Sequence, residues 1–156
     1  MTVDCTIIPL TAVRAAEHVE ALLAIDQDVI GERWTRAHVL TPMPGKWELS
    51  QLALDAGKRP AGFLIASQKR EHIHVHRLAV AESLRGKGIG VLLLRAAASP
   101  ATERGLSTMT LKVAEENASA IRFYLRLGFT ETGRMGANLV MSVGLEQFVK
   151  QSGGAA

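Results

Sequence analysis

A short glycine-rich segment, Arg85-Gly86-Lys87-Gly88-Ile89-Gly90, carries the clearest chemical signal in this chain, and we call these six residues the cradle. It follows the apolar run at residues 78–80 and precedes the helix-like run at residues 91–94. Glycines let the backbone turn so that successive N–H groups point inward, and the start of a helix adds positive potential. Arg85 and Lys87 add full charges. This pattern predicts a binding site for a phosphate or diphosphate between a strand and a helix.

Three histidines alternate along the chain shortly before the cradle. His72, His74 and His76 are spaced by two residues, so they are expected on one face of a strand. Same-face neighbours stand about 7 Å apart, so a metal site would need a further ligand from an adjacent strand. The sequence offers no clear candidate for that ligand, and we predict no metal. The histidines are instead candidates for proton transfer.

Composition indicates an ordinary globular domain. The 156 residues are 47% hydrophobic and 21% charged, and no apolar run reaches membrane length. We expect a cytoplasmic protein without membrane contact, with one domain over residues 1–150 and a disordered tail at residues 151–156. The net charge of +3 can be assigned to residues 77–95, around the cradle. That local excess favours a phosphorylated small molecule or an acidic partner over nucleic acid.

The spacing of apolar residues and turn residues predicts a mixed α/β domain. Pro100 lies inside one predicted helix, where we expect a kink or an early break. The predicted strands cover residues 7–10, 47–54, 61–67, 71–80, 107–113, 130–135 and 138–145. The predicted helices cover residues 11–25, 28–40, 91–104 and 117–127.

A second segment supports a specific family. It reads Asn117-Ala118-Ser119-Ala120-Ile121-Arg122-Phe123-Tyr124-Leu125-Arg126-Leu127-Gly128-Phe129. Together with the cradle and the preceding His76-Arg77-Leu78-Ala79-Val80, it resembles the acyl-CoA-binding motifs of the GNAT N-acetyltransferase superfamily. The cradle is similar to the family's pyrophosphate pattern, Arg/Gln-x-x-Gly-x-Gly/Ala. The resemblance covers about residues 71–145, whereas the patterns of a nucleoside triphosphate P-loop and of a dinucleotide fold are absent.

The resemblance implies a fold and a set of donor-binding residues. The fold is a central, mostly antiparallel sheet of about seven strands with about four helices. Its fourth and fifth strands splay apart, helped by a bulge in the fourth strand. In the family this gap receives the pantetheine arm of an acyl-CoA. The implied contacts are backbone pairing by Leu78, Ala79 and Val80, pyrophosphate binding by Arg85, Gly86, Lys87, Gly88, Ile89 and Gly90, and further contacts by Asn117, Ala120 and Phe123.

The resemblance also implies roles in catalysis. Tyr124 is the candidate acid that protonates the departing thiolate, and the alternative interpretation is that it packs in the core beside Ile121 and Leu125. His76, nearest the splayed end of its strand, is the first candidate for the base, and Glu115 and Glu116 come next. Lys112 stands where some ribosomal-protein acetyltransferases of the family carry a glutamate, so their arrangement is not expected here.

The implied activity is transfer of an acyl group, most simply acetyl, from acyl-CoA to a primary amine on a small molecule or a peptide. Two alternatives stay open: an acidic acyl carrier protein as donor, and a non-catalytic acyl-CoA-binding module. Residues 25–50 and the final hairpin are expected to select the acceptor, with Trp34 either shaping that site or anchoring the core. The chain is expected to be a monomer or a homodimer.

Overall fold

The computed structural model describes residues 4–154 of the chain, and the side chains of residues 4–151. Within this range it contains seven strands, six α-helices and a 3-10 turn at Glu82–Leu84. The strands are β1 (Thr6–Pro9), β2 (Gln51–Leu54), β3 (Pro60–Lys69), β4 (His72–Val80), β5 (Thr108–Ala114), β6 (Thr130–Met135) and β7 (Asn138–Gly144). The helices are α1 (Ala12–Asp26), α2 (Arg36–Leu40), α3 (Lys46–Leu49), α4 (Ile89–Glu103), α5 (Ala118–Arg126) and α6 (Leu145–Gly154).

All seven strands form one sheet, in the order β1-β2-β3-β4-β5-β7-β6. Every neighbouring pair is antiparallel except β4 and β5, which run parallel. This parallel pair is connected through the cradle and α4, as a crossover between parallel strands requires. The predicted mixed α/β fold with a mostly antiparallel seven-stranded sheet is therefore confirmed.

The fourth and fifth strands separate halfway along their length. Residues 72–75 of β4 pair with residues 108–111 of β5, and no pairing between the two strands follows in the described chain. At the same height β4 contains one extra residue relative to β3, because Ile65 pairs with Arg77 whereas Ala66 pairs with Val75. The unmatched residue is His76, so the bulge that the resemblance implies is present.

The bulge also changes which way β4 presents its side chains. One core lies between the sheet and helices α4, α5 and α6, and the other lies between the sheet and helices α1 and α2. Val75 and Leu78 both pack in the first core although they are three positions apart, with two residues between them. A regular strand would place them on opposite faces, so the extra residue resets the alternation of the strand tip.

A buried ion pair joins the tip of β4 to the end of α1. The guanidinium of Arg77 donates from Nε to Asp26 Oδ1 at 2.6 Å and from Nη2 to Asp26 Oδ2 at 2.8 Å. Arg77 Nη2 also donates to the backbone carbonyl of Glu32 at 2.6 Å, and the guanidinium lies 5.3 Å from the ring centre of Trp34. These contacts fix the connection at residues 27–35 against the strand tip.

The structure corrects two predictions in the N-terminal third. The helix expected at residues 28–40 exists only as Arg36–Leu40, because Gly31 adopts a φ of 120° and Thr35 begins a new helix with a capping box to His38. The strand expected at residues 47–54 begins only at Gln51. Residues 46–49 form one helical turn that starts at left-handed Gly45, and four residues are too few for their apolar spacing to distinguish helix from strand.

Two helices extend past the points where the sequence predicts an early break or a disordered tail. Helix α4 passes through Pro100 and ends at Glu103, because a proline in the last turn removes only one backbone hydrogen bond. Residues 151–154, expected in a disordered tail, belong to α6, whereas residues 155 and 156 lie outside the described range. No helix in that range has the length and apolar character needed to span a bilayer.

The buried ion pair generates a stability prediction. Asp26→Asn leaves the guanidinium of Arg77 without its charged partner, so we expect the free energy of unfolding to fall by about 3–5 kcal/mol. Asp28→Asn is the matched control, because Asp28 is half-exposed and its carboxylate lies 3.9 Å from Arg85, where a loss below about 1 kcal/mol is expected. Urea unfolding of both variants measures the difference, and equal losses would contradict the assignment.

Candidate functional site

The gap between β4 and β5 forms a cavity of about 210 Å³, which we call the cleft. Its walls come from the separated parts of the two strands, the first turns of α5 and the connection that precedes α2. The lining includes five residues singled out in the sequence, namely His76, Leu78, Asn117, Ala120 and Tyr124. The structure therefore brings the tip of β4 and the start of the second segment to one cleft, whereas the cradle itself does not line it.

The cradle has the geometry of an anion site. Gly86 and Gly88 have φ values of 78° and 87°, in the left-handed region that residues with a side chain rarely adopt. A Cβ at either position would enter open space. Helix α4 begins directly after Gly88 without a side-chain cap. Within the described chain, no backbone or side-chain acceptor occupies the N–H groups of residues 86–91. Free donors at the start of a 15-residue helix suit a phosphate group.

Two residues of the cradle serve the packing behind it. Ile89 is 1% exposed, so its side chain belongs to the core and only its backbone faces the anion site. A Cβ at Gly90 would lie 3.2 Å from Cζ of Phe123. A side chain at Gly90 would therefore crowd Phe123, so the absence of a Cβ at this position also serves the packing of α5 against α4.

The open edge of β4 offers backbone groups to the cleft. Ala81 N donates to Ala61 O at 2.8 Å, and antiparallel alternation then directs the backbone of Ala79 toward β3. The backbone N–H and C=O groups of Leu78 and Val80 therefore point away from β3, toward the open edge of β4. The carbonyl of Val80 already accepts a hydrogen bond from Arg85 Nε at 3.0 Å. Of the three residues expected to pair with a pantetheine arm, Leu78 is the one whose backbone is most fully available.

Tyr124 packs in the core and also borders the cleft. Its ring packs edge-to-face on Phe123 and Phe129, with centroid distances of 5.1 and 5.4 Å, and the residue also lines the cleft. Leu125, expected on the same core face, is instead 51% exposed. Burial raises the pKa of the Tyr124 phenol, so the group stays protonated at physiological pH.

His76 lies at the bulge and is held from β3. Its Nε2 is 2.7 Å from Ser67 Oγ, and its ring contacts that of His74 at a centroid distance of 4.8 Å. Burial, assisted by the charges of Lys69, Lys46 and Lys112, lowers the pKa of His76 to about 4. The imidazole is therefore neutral at pH 7 and can accept a proton.

The other candidate bases occupy different surroundings. Nδ1 of His74 is 2.8 Å from Thr110 Oγ1, and burial lowers the pKa of this histidine to about 3. Glu115 pairs with Arg134 of β6 on the surface. Neither Glu115 nor Glu116 lines the cleft, so the structure brings only His76 of the expected bases to it.

Asn117 caps α5 as expected and also borders the cleft. Its Oδ1 accepts a hydrogen bond from Ala120 N at 3.2 Å. Phe123, two turns further along this segment than the cap, does not line the cleft and instead supports α4 through its contact with Gly90. Of the expected α5 contacts, Asn117 and Ala120 are positioned to touch a ligand directly.

Sequence reasoning missed the residues that hold the site from behind. Arg77 was assigned to the positive charge of the cradle, but Asp26 takes its guanidinium. Lys46 lies in no motif that marks it in the sequence, yet it is 0% exposed and its Nζ donates to the carbonyls of His38 and Thr41. Because 51 residues separate Asp26 from Arg77, no local pattern could have paired them.

Comparisons with known proteins agree with this geometry. The sequence model of the Acetyltransferase (GNAT) family matches residues 19–129. Streptothricin acetyltransferase of Streptomyces lavendulae is 39% identical over 84 residues, which are 53% of this chain and 44% of that protein. The chain spans between 35% and 50% of the length of the first curated relatives it matches.

Solved structures share the whole fold. Ard1 from Thermoplasma volcanium superimposes with a TM-score of 0.78 at 26% identity, over 91% of this chain and 98% of that one. An N-acetyltransferase from Thermoplasma acidophilum, solved with coenzyme A, has the same fold with a TM-score of 0.72 at 17% identity, over 90% and 99% of the two chains. With the family match over more than half of its length, this chain belongs to the GNAT acetyltransferase family.

Proposed function

We propose that this protein transfers an acetyl group from acetyl-CoA to a primary amine, by direct attack while both substrates are bound. The observation that carries the proposal is the continuity of the site. Leu78, on the open edge of β4, lines one cleft with His76 and Tyr124, and the free amides of the cradle follow the end of that strand in the chain. A bound acetyl-CoA supplies an activated acyl carbon and a thiol leaving group.

The residues of the chain fit such a donor. The N–H groups of residues 86–91 would hold the diphosphate, with Lys87 exposed beside them. Leu78 would pair its backbone with the amide groups of the pantetheine arm, as an added strand does. Asn117 and Ala120 border the cleft beyond this point, toward Tyr124.

His76 acts as the base in this proposal. An imidazole with a pKa near 4 is too weak to deprotonate a free alkylammonium, whose pKa is about 10.4. It can, however, accept the proton from the amine nitrogen as the new N–C bond forms, because that nitrogen then becomes much more acidic. In this proposal Nε2–H donates to Ser67 Oγ, at 2.7 Å, and Nδ1 receives the proton.

Tyr124 acts as the acid. Its hydroxyl is protonated at every physiological pH, and it can give this proton to the sulfur as the C–S bond breaks. The burial that raises the pKa of the phenol also disfavours a thiolate in the same cavity, so the proton transfer remains feasible. Helix α5 positions the hydroxyl through the packing of the ring between Phe123 and Phe129.

The charge argument for an acyl carrier protein as donor becomes weaker with the structure. Arg77 is buried against Asp26, and Arg85 lies 3.9 Å from the carboxylate of Asp28. Arg77 and Arg85, which belong to the cations counted around the cradle, thus face carboxylates of the chain itself. Coenzyme A, which needs only the amides and a few charges, is the donor we propose.

The cradle generates the first test of this proposal. Gly88→Val forces a branched side chain into a left-handed backbone position and into the space over the helix start, so coenzyme A binding should be lost. Gly136→Val is the matched control, because Gly136 has a φ of 59° and equal open space but lies in the β6–β7 turn. Calorimetric titration with coenzyme A should detect normal binding to the control. Normal binding by both variants would contradict the proposal that the cradle holds the diphosphate.

The acid is tested by Tyr124→Phe, which keeps the ring packing and removes the hydroxyl. We expect kcat to fall by about 100-fold or more while the Kd for coenzyme A stays within about twofold. Steady-state kinetics with acetyl-CoA and calorimetry with coenzyme A give the two values. An unchanged kcat would remove Tyr124 from the mechanism.

The base is tested by the pH dependence of kcat. Because the pKa of His76 is lowered to about 4, protonation of His76 should lower kcat only below about pH 5, separately from the limb at higher pH that protonation of the acceptor amine produces. His76→Ala should remove this acid limb and lower the plateau by about 100-fold, whereas His74→Ala should keep the limb. If the limb below pH 5 is absent from the unaltered protein or survives in His76→Ala, another group is the base, whereas a limb that moves with the pKa of the acceptor belongs to the amine.

A further inference from the structure

A second cavity, of about 300 Å³, adjoins the cleft, and we call it the side pocket. Six residues line it: Trp34, Ala37, His38, Thr41, Met43 and His76. Trp34 and His76 also line the cleft, so the two spaces meet at the candidate base. The lining contains no carboxylate, lysine or arginine among the described residues.

The walls of the side pocket are fixed by contacts from behind. The ring of Trp34 stacks on that of His38 at a centroid distance of 5.2 Å and lies under the guanidinium of Arg77. Lys46 Nζ donates to the carbonyl oxygens of His38 at 3.1 Å and Thr41 at 2.6 Å, which belong to two lining residues. A pocket held in this way is available before any ligand binds.

The charges around His76 disfavour a polycation. Lys112 lines the cleft, and Lys46, Lys69 and Lys112 all lower the pKa of His76, whereas the charge of Arg77 is balanced by Asp26. Glu32 is the single carboxylate that lines either of the two spaces in the described chain. Its Oε1 lies 3.5 Å from Nε2 of His38. An acceptor with several ammonium groups would find repulsion and almost no counter-charge.

We infer that the acceptor is an α-amine with an uncharged apolar side chain, and that this side chain occupies the side pocket while the amine reaches His76. The inference rests on the proposed acetyl transfer and names the class of its second substrate. The pocket volume lies at the small end of ligand sites, which suits one aromatic or branched aliphatic group. Trp34 and Met43 supply the aromatic and thioether surfaces that such a group contacts.

The state of the attacking nitrogen supports the same class. An amine must be neutral to attack, and the burial and cations that lower the pKa of His76 act on an ammonium bound beside it in the same sense. An α-amino group starts near a pKa of about 8, compared with about 10.4 for a lysine-type amine. The α-amine therefore needs the smaller shift to become reactive.

A panel of four acceptors tests the inference with the intact protein and acetyl-CoA. We expect kcat/KM for phenylalaninamide and leucinamide to exceed that for glycinamide and for spermidine by at least about tenfold. If kcat/KM for glycinamide equals that for phenylalaninamide and leucinamide, or if spermidine is the preferred acceptor, the inference is overturned while acetyl transfer stands. Absence of transfer to all four amines, with N-acetylphenylalaninamide still binding in a calorimetric titration, would instead contradict the proposed function and keep the pocket.

A variant locates the side chain in the side pocket. Ala37→Leu adds volume at an exposed helix position that lines the pocket, so the ratio of kcat/KM for phenylalaninamide to that for glycinamide should fall at least about tenfold. Ala16→Leu, at an exposed position of α1 away from the pocket, is the matched control and should leave this ratio within about twofold. An unchanged ratio in Ala37→Leu would show that the side chain of the acceptor does not occupy the side pocket.

Discussion

The separation of β4 from β5 is the constraint on which the rest of this structure depends. Two parallel strands at the centre of a sheet normally exchange hydrogen bonds along their whole length, and here the exchange ends after four residue pairs. The bulge at His76 accompanies that divergence and directs the strand tip away from its neighbour. Backbone polar groups are thereby left at the centre of the fold, where a ligand can satisfy them.

Keeping the strand tip apart requires support from the opposite side. Arg77 supplies it through paired hydrogen bonds to Asp26 and a third to the carbonyl of Glu32, in nearly dry surroundings. The same guanidinium lies against Trp34, which borders both the cleft and the side pocket. One arginine thus connects the geometry of the donor side to that of the acceptor side.

Local chemistry explains which parts of this arrangement could be predicted from sequence. The glycines of the cradle, the Asn117 cap and the closing hairpin are short-range features, since each depends on backbone preferences within a few residues. Asp26 and Arg77 meet only because the fold brings them together, and Lys46 is buried because two carbonyls happen to converge on it. The four residues of α3 carry too little periodicity to reveal a helix, and the role of Gly90 depends on the position of Phe123.

The extra residue in β4 has a consequence for how this chain can vary. Val75 and Leu78 share one core, and Arg77 reaches Asp26, across one extra residue, His76. Loss of His76 alone would restore a regular ladder and leave Arg77 and Leu78 on their present faces, because ordinary alternation after Val75 places them there. What this loss would remove is the bulge, and with it the candidate base and the feature that accompanies the divergence of β4 from β5. In genetic terms, an in-frame deletion of this single codon would spare the packing of the strand and take away the site.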